Sequence, residues 1–230
     1  MRTIKEYFED LGHYLSLKDR VYQNIKFKIM NGNLKPGIRL FEEELAKTMN
    51  ISRAPIREAF NRLEKEGFVT IIPRKGATVS EITTHTIEDI FEIRENLESL
   101  AIKNSIGKIS MENLVKIGNH FKKFINKPTN AENRMQYLAL DKEYHNLLIE
   151  NCGNKKLIEI LSNLQEQIHW IRNISLKRIT FSDSIKEHLS IIESLKKNDG
   201  DLVIKSLLKH LERAKESSIS EVNSWKNTSI

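Results

Sequence analysis

The sequence predicts a mainly α protein, with an N-terminal winged helix-turn-helix domain followed by an all-α bundle of about six helices. Three observations predict it. Residues 45–79 spell out a helix, a tight turn, a second helix with arginines near its start, and a β-hairpin with a basic tip. Beyond Glu81 the apolar residues recur with helical period, interrupted by Gly107, Pro128, Gly153 and Asn198-Asp199-Gly200. The chain also has a single cysteine, Cys152, which excludes an intrachain disulfide and fits a reducing cytoplasm. No apolar run approaches the length of a membrane span, and the mixed acids, bases and aromatics of residues 1–16 do not read as a signal peptide.

The elements follow in order. Residues 1–16 read as an N-terminal extension, and residues 17–80 as the winged domain. Val21, Ile25 and Ile29 recur at four-residue steps, predicting an amphipathic helix over residues 17–31 that ends at Gly32 and turns at Pro36-Gly37. Ile38 to Leu40 predicts a short strand, residues 42–49 a helix, and Asn50-Ile51 a turn. Ser52 is a suitable N-cap for a helix running to Glu66, with Pro55 in its first turn and Gly67 closing it. Phe68–Ile72 and Ala77–Ser80, separated by Pro-Arg-Lys-Gly, read as a hairpin. Residues 81–86 read as a linker, with Thr86 and Asp89 resembling a capping box. The second domain, 87–225, is expected to carry helices near 86–106, 110–126, 131–152, 155–178, 183–197 and 201–222.

Charge is unevenly spread. Residues 1–80 hold 15 Lys/Arg against 10 Asp/Glu, whereas the remaining residues hold 22 against 21. The positive excess therefore lies with the helix-turn-helix, where a basic face attracts polyanions by releasing their counterions. The second helix of such a motif enters the major groove with its N-terminal residues at the base edges. Here those residues include Ser52, Arg53 and Arg57, and the two arginines, four apart, share a face. Arginine can grip guanine O6 and N7 with two donors. Ser52 and the free N–H groups of the helix start suit phosphates. The wing tip, Arg74-Lys75-Gly76, is positive and slender enough for a minor groove or a phosphate backbone. A merely solvated basic helix face is the alternative reading, but it leaves the register of turn, cap, arginines and wing unexplained.

A second constellation lies in the bundle. Asp141 and His145 are four apart, on a stripe that includes Leu138, Leu148 and Cys152. His188 shares a face with Ile185, Ile192 and Leu195, and His210 with Val203, Leu207 and Ala214. All these groups point into an apolar interior, where unpaired polarity is costly. His188 precedes Asn198 by ten residues and His210 follows Gly200 by ten. In an antiparallel helical hairpin both sit ~15 Å from the turn and can meet. Three imidazoles and a carboxylate suit a divalent transition metal: zinc first, with nickel, iron or manganese as alternatives. Hydrogen-bonded core histidines are the competing reading. Asn154 reads as a helix cap, and Glu166 with His169 as an isolated pair, too few groups for a di-iron site.

The stretch SRAPIREAFNRLEKEGFV, followed by PRKGATV, resembles the DNA-binding domain of the GntR family of bacterial transcriptional regulators. Ser52, Arg53, Pro55, Arg57, Leu63, Glu66 and Gly67 stand at its S-R-x-P-x-R and L-x-x-E-G elements. The resemblance implies operator binding by Arg53, Arg57 and the wing glycine Gly76. Two positions depart from the pattern: Phe41 replaces a small N-cap residue, and Glu43 stands where many members have a DNA-holding arginine. DKEYHNLLIENCGN and EHLSIIESLKKNDGDLVIKSLLKH resemble the FCD ligand-sensing domain of the FadR branch. In metal-binding members the aspartate and three histidines of that pattern hold the ion, and they fall on Asp141, His145, His188 and His210. The resemblance also implies an acidic effector beside the metal, with Arg94 as carboxylate anchor and Arg172 as a second candidate. For Arg94, a surface salt bridge with Glu98 is the plain alternative.

The expected function is a homodimeric regulator that binds palindromic double-stranded operator DNA under control of a small carboxylate, with no membrane partner. The alternative is a metalloenzyme using the His3Asp set, which lacks an obvious general base and leaves the DNA reader unexplained. A purely structural or signalling metal is a third reading.

Overall fold

The computed structural model describes residues 16–73, 75–175 and 181–228. Residues 1–15 of the N-terminal extension, the wing-tip Arg74 and the end of the helix expected over 155–178 lie outside the described residues. The chain divides into two compact units, Met1–Glu81 and Ile82–Ile230.

In the first unit α1 spans Leu17–Met30, and Ser16 caps it by accepting from the Asp19 N–H at 3.3 Å. Helices α2 (Glu42–Met49) and α3 (Arg53–Lys65) are joined by a turn in which Asn50 takes φ 53°, a left-handed conformation asparagine tolerates. Phe41 stands at the N-cap of α2 without a side-chain cap bond, and Glu42, Glu43 and Glu44 fill the first turn. Their negative charge suits the positive end of the helix dipole. Strands β1 (Arg39–Leu40), β2 (Val69–Ile72) and β3 (Gly76–Val79) form an antiparallel sheet in the order β1-β3-β2. Ile25 and Ile29 from α1 meet Ile56, Phe60 and Leu63 of α3 and Phe68 beside the sheet, all essentially buried. At the rim of this core, Tyr22 Oη donates to Glu66 Oε2 at 2.6 Å and Lys26 Nζ donates to the same oxygen at 2.8 Å. Gly76 has φ +91°, and a Cβ added there would lie 2.3 Å from the Leu40 carbonyl oxygen. The close pairing of β3 with β1 therefore already requires glycine at this wing position.

The second unit is helical. Its first helix, α4 (Thr84–Ser105), begins inside the stretch expected to be a linker. Thr83, not Thr86, is its cap: the Thr83 hydroxyl accepts from the Thr86 N–H at 3.1 Å. The remaining helices are α5 (Met111–Lys122), α6 (Ala131–Ile149), α7 (Lys155–Ser175), α8 (Phe181–Lys196) and α9 (Gly200–Thr228). A short 3-10 turn at Glu150–Cys152 finishes the run expected to be helical to 152. Asn154 caps α7, accepting from the Leu157 N–H at 3.1 Å. Helix α9 runs several residues past the expected end and packs on α4 and α8. Helix α8 also packs on α5 at Gly118, where an added Cβ would meet the Ile192 and Leu189 side chains at 3.3 and 3.4 Å. Helices α6 and α7 complete the bundle against α4. The inward faces of α4, α6, α7, α8 and α9 thereby surround one interior.

Candidate functional site

Three helices bring the ligand-type groups together. Asp141 and His145 project from one face of α6, His188 from α8 and His210 from α9, all buried. One nitrogen from each of His145, His188 and His210 lies within 4.8 Å of the other two. The His188 and His210 ring centroids are 4.6 Å apart, the meeting that their equal offsets from the α8–α9 turn predicts. Asp141 Oδ1 lies 3.4 Å from His188 Nε2 and 3.9 Å from His145 Nε2.

The hydrogen bonds around these groups decide which nitrogens are available. Glu187 Oε2 lies 2.9 Å from His210 Nδ1, so Nδ1 carries the proton and donates it, leaving a lone pair on Nε2. Glu187 in turn pairs with Arg213. His210 Nε2 and both nitrogens of His188 are buried without a hydrogen-bond partner. The 3.4 Å approach of Asp141 to His188 is within ion-pair range but is not aligned as a hydrogen bond. Buried polar nitrogens without partners are costly. Phe121 and Tyr144 rings pack on His188, with centroids 4.6 and 4.7 Å away, and hold it in place.

His145 is different. Its Nε2 accepts from Arg172 Nη2 at 2.8 Å, and its Nδ1 faces Glu98 Oε2 at 3.3 Å. Arg172 also contacts Asp141 through Nη1. Glu98 Oε1 accepts from Arg94 Nε at 2.8 Å, and that pair is almost fully buried, at 5% and 1% exposure. The surface salt bridge considered for Arg94 is thus an interior one. Arg94, Glu98, Asp141, His145, His169 and Arg172 all line one pocket. One guanidinium nitrogen of Arg94, Nη1, is buried there without a hydrogen-bond partner.

Electrostatics follow from burial. Desolvation pushes His188 well below its ordinary pKa, with the nearby His210 and His145 adding to it. Desolvation likewise lowers His210, to about 4, against the opposing pull of Glu187. Both imidazoles are therefore neutral near pH 7, the form that ligates metals. Burial also lowers Arg172, to about 9, and the Arg94 charge adds to this. Burial alone would raise Glu98, but Arg94 and His145 outweigh it and hold the carboxyl well below the usual carboxylate range. Arg94 thus meets Glu98, and Arg172 meets Asp141, within this pocket.

Glu98 and Glu187 touch the candidate site, and sequence reasoning did not select them as site residues. Glu98 carried a signal: it continues the buried series Phe91, Arg94, Ala101 at helical spacing. Glu187 carried none, because its partners His210 and Arg213 lie on another helix.

The DNA-reading candidates cluster on the first unit. Arg53 and Arg57 stand exposed in the first two turns of α3, and each is paired with α2. Arg53 Nη2 lies 2.9 Å from Glu43 Oε2. Arg57 donates through Nε to Glu42 Oε1 at 3.2 Å and through Nη2 to Glu42 Oε2 at 2.8 Å. Glu43, the departure from the family pattern, also pairs with Lys47 at 3.2 Å. Pairs this exposed add little stability, since water screens them. Ser52 occupies the N-cap position with extended backbone, but its hydroxyl makes no cap bond, in contrast to the N-cap role its residue type suggests. Lys75 is exposed on the wing. Arg39, Arg53, Arg57, Lys75 and Gly76 border a common groove between α3 and the wing. Arg39, from β1, had no spacing signal linking it to the motif.

A winged helix-turn-helix joined to a six-helix bundle with a buried ligand-type cluster is the build of a bacterial transcription regulator. Residues 17–79 match the family described as bacterial regulatory proteins, gntR family, and residues 89–213 match the FCD domain. The chain belongs to the gntR family, carries an FCD domain, and is a DNA-binding transcriptional regulator. It is 30% identical over 190 residues to the uncharacterized HTH-type transcriptional regulator YdhC of Bacillus subtilis (strain 168), covering 82% of this chain and 85% of that one. It is 25% identical over 205 residues to the HTH-type transcriptional repressor RspR of Escherichia coli (strain K12), covering 87% and 88%. Among solved structures, E. coli McbR/YncC superposes with a TM-score of 0.69 at 20% identity, covering 86% of this chain and 95% of that one, a likeness of fold. The relatives are regulators rather than enzymes, and the metalloenzyme alternative goes no further. Among the described residues no helix is long and apolar enough to cross a membrane.

The histidine shifts set a pH dependence. Folded His188 and His210 have depressed pKa values, so between about pH 6.5 and pH 4 the unfolded chain binds protons that the folded chain does not. Stability then falls as pH falls, by up to about 1.4 kcal/mol per pH unit for each histidine. In chelator-treated protein the urea midpoint of the bundle should drop from pH 7 to pH 5, above the range where carboxylates titrate; a flat midpoint contradicts neutral buried imidazoles.

Proposed function

We propose that the protein binds a palindromic operator as a cytoplasmic homodimer and is controlled by a small carboxylate held beside a divalent metal ion in its helical domain. Residues 17–80 read the DNA and residues 87–225 hold the metal and effector. The observation that carries the sensing half is the convergence of three buried imidazoles with orphan nitrogens beside Asp141.

The donor set fits a metal. Two neutral imidazoles present lone pairs with no partner, and Glu187 fixes the tautomer of His210 as outer-shell carboxylates do for ligating histidines. Asp141, His145, His188 and His210 would hold the ion, with zinc the first candidate and nickel, iron or manganese also suited. When bound, the metal supplies a positive charge that a carboxylate can share. Arg172 currently satisfies Asp141 and His145, so metal and guanidinium compete for those two groups. Released from them, Arg172 joins Arg94 in the same pocket as a carboxylate anchor. The effector acts by binding one arrangement of the two DNA-binding domains more tightly than the other, since only differential affinity can shift such an equilibrium.

On the DNA side, Arg53 and Arg57 contact base edges. Ser52, Lys75 and Arg74 contact phosphates, and Gly76 lets the wing backbone approach the duplex. A homodimer sets two α3 helices in successive major grooves.

Arg57→Ala should abolish binding to a duplex that the wild-type protein selects from a random pool, while light scattering still reports a dimer; an unchanged gel-shift titration sinks the assignment. His188→Ala combined with His210→Ala should lose the bound metal, so equal metal content by elemental analysis in variant and wild type counts against the site. Arg94→Ala should weaken the response to added small carboxylates such as citrate or lactate without altering DNA affinity in their absence. A wild-type response in that titration would free Arg94 of the role.

A further inference from the structure

The two candidate base-reading arginines are held by α2 in different ways. Glu42 grips Arg57 side-on: its two carboxylate oxygens accept from Nε at 3.2 Å and Nη2 at 2.8 Å. A guanidinium has five N–H donors, one on Nε and two on each terminal nitrogen. The side-on grip uses one from Nε and one from Nη2. It leaves both donors of Nη1 and the outer donor of Nη2, and the outer Nη2 donor with the Nη1 donor beside it forms the edge that pairs with guanine O6 and N7. Glu42 is itself only partly exposed, its side chain at 24% against 65% for Arg57, so the carboxylate is the anchored member and the arginine the projecting one. Glu43 does something else. It reaches Arg53 through a single terminal nitrogen, Nη2 at 2.9 Å, shares its charge with Lys47, and is as exposed as the arginine it meets.

We propose that Glu42 is a positioning residue for base readout, which holds the Arg57 guanidinium so that its outer edge faces a guanine, whereas Glu43 is a counter-ion that weakens all DNA binding equally. This rests on the reading that Arg57 contacts DNA. A two-point grip at Nε and Nη2 removes the rotation of the guanidinium plane, so less orientational freedom is lost when the base is met. Glu43 lacks the second point and fixes no plane. Its contribution is therefore charge alone: a carboxylate beside the groove repels phosphates irrespective of sequence. A family-pattern arginine replaced by an acid thus lowers non-specific affinity, and Glu42 supplies discrimination.

The two roles separate because removing either charge tightens DNA binding, while only loss of the grip relaxes specificity. Full-length wild type, Glu42→Gln, Glu42→Asp, Glu43→Gln and Arg57→Ala would be titrated by fluorescence polarisation. The probes are the pool-selected duplex, its single guanine-to-adenine variants, and a random duplex of equal length. Glu43→Gln should bind every duplex a few-fold more tightly and keep every base preference. Glu42→Gln should tighten on the random duplex in the same way, yet lose about tenfold in preference at one guanine of each half-site, the loss expected when a bidentate arginine contact is no longer held. Glu42→Asp keeps the charge but lacks the reach, so it should lose the same preference without tightening on the random duplex. Full base preference in both Glu42 variants overturns the proposal, as does an equal loss of preference in Glu43→Gln. Unchanged affinity of Arg57→Ala for the selected duplex would instead show that the underlying reading of α3 is wrong. Loss of binding in Arg57→Ala with preference intact in Glu42→Gln would fault Glu42 alone.

Discussion

Buried charge is the constraint on which the helical domain depends. Arg94, Glu98, Asp141 and Arg172 lie in the same buried interior as three imidazoles. An isolated ion there would cost several kcal/mol even after relaxation. The arrangement is tolerable only because each ion meets an opposite one: Glu98 meets Arg94, and Asp141 meets Arg172. Loss of one partner would leave the other stranded, at a cost of about 3–5 kcal/mol. Helices α4, α6 and α7 are therefore tied by charge as well as by apolar packing, and α8 and α9 join them through His188 and His210. The uncharged His188 and His210 are a consequence of the same burial, and His210 Nε2 and both His188 nitrogens have no hydrogen-bond partner.

Such an interior is poised rather than finished. Asp141 and His145 are satisfied by Arg172, while His188 and His210 Nε2 have no hydrogen bond. An entering cation would change which groups are satisfied, and an entering anion would change it again at Arg94 and Arg172. That coupling needs no long pathway, since Arg94, Glu98, His145, Arg172 and Asp141 touch in sequence. The DNA-reading face obeys the opposite physics. Its Arg–Glu pairs stand in water, where they contribute little stability. Geometry is what they retain: a two-point contact for Arg57 and a one-point contact for Arg53.

Much of this was legible in the chain. Four-residue steps such as Val21, Ile25 and Ile29 gave the helices, because burying a stripe on a helix imposes that period. Gly67 and Asn154 marked ends and caps, because few residues suit those backbone positions. His188 and His210 could be brought together from a turn and two equal offsets. The misplaced features were local choices between near equals. Thr83 caps α4 where Thr86 was expected, since two threonines three apart offer the same hydroxyl. Ser52 takes the cap position without the cap bond. Gly76 is not among them: the Leu40 carbonyl beside it adds a packing demand for glycine that spacing did not reveal.

By itself the sequence determined the two-part build, the helical periods, the arginine pair on one face of α3 and the inward-facing Asp141, His145, His188 and His210, because these depend on short-range spacing. Only the tertiary structure decided which charge answers which. That Glu98 stands between Arg94 and His145, that Arg172 occupies Asp141, that Glu187 orients His210, and that Glu42 and Glu43 hold Arg57 and Arg53, are all contacts made by packing. Apart from Glu98 and Arg94, these partners lie on different helices. Spacing along one helix specifies a face, but the partner on another helix depends on how the two are packed together, which no local pattern encodes.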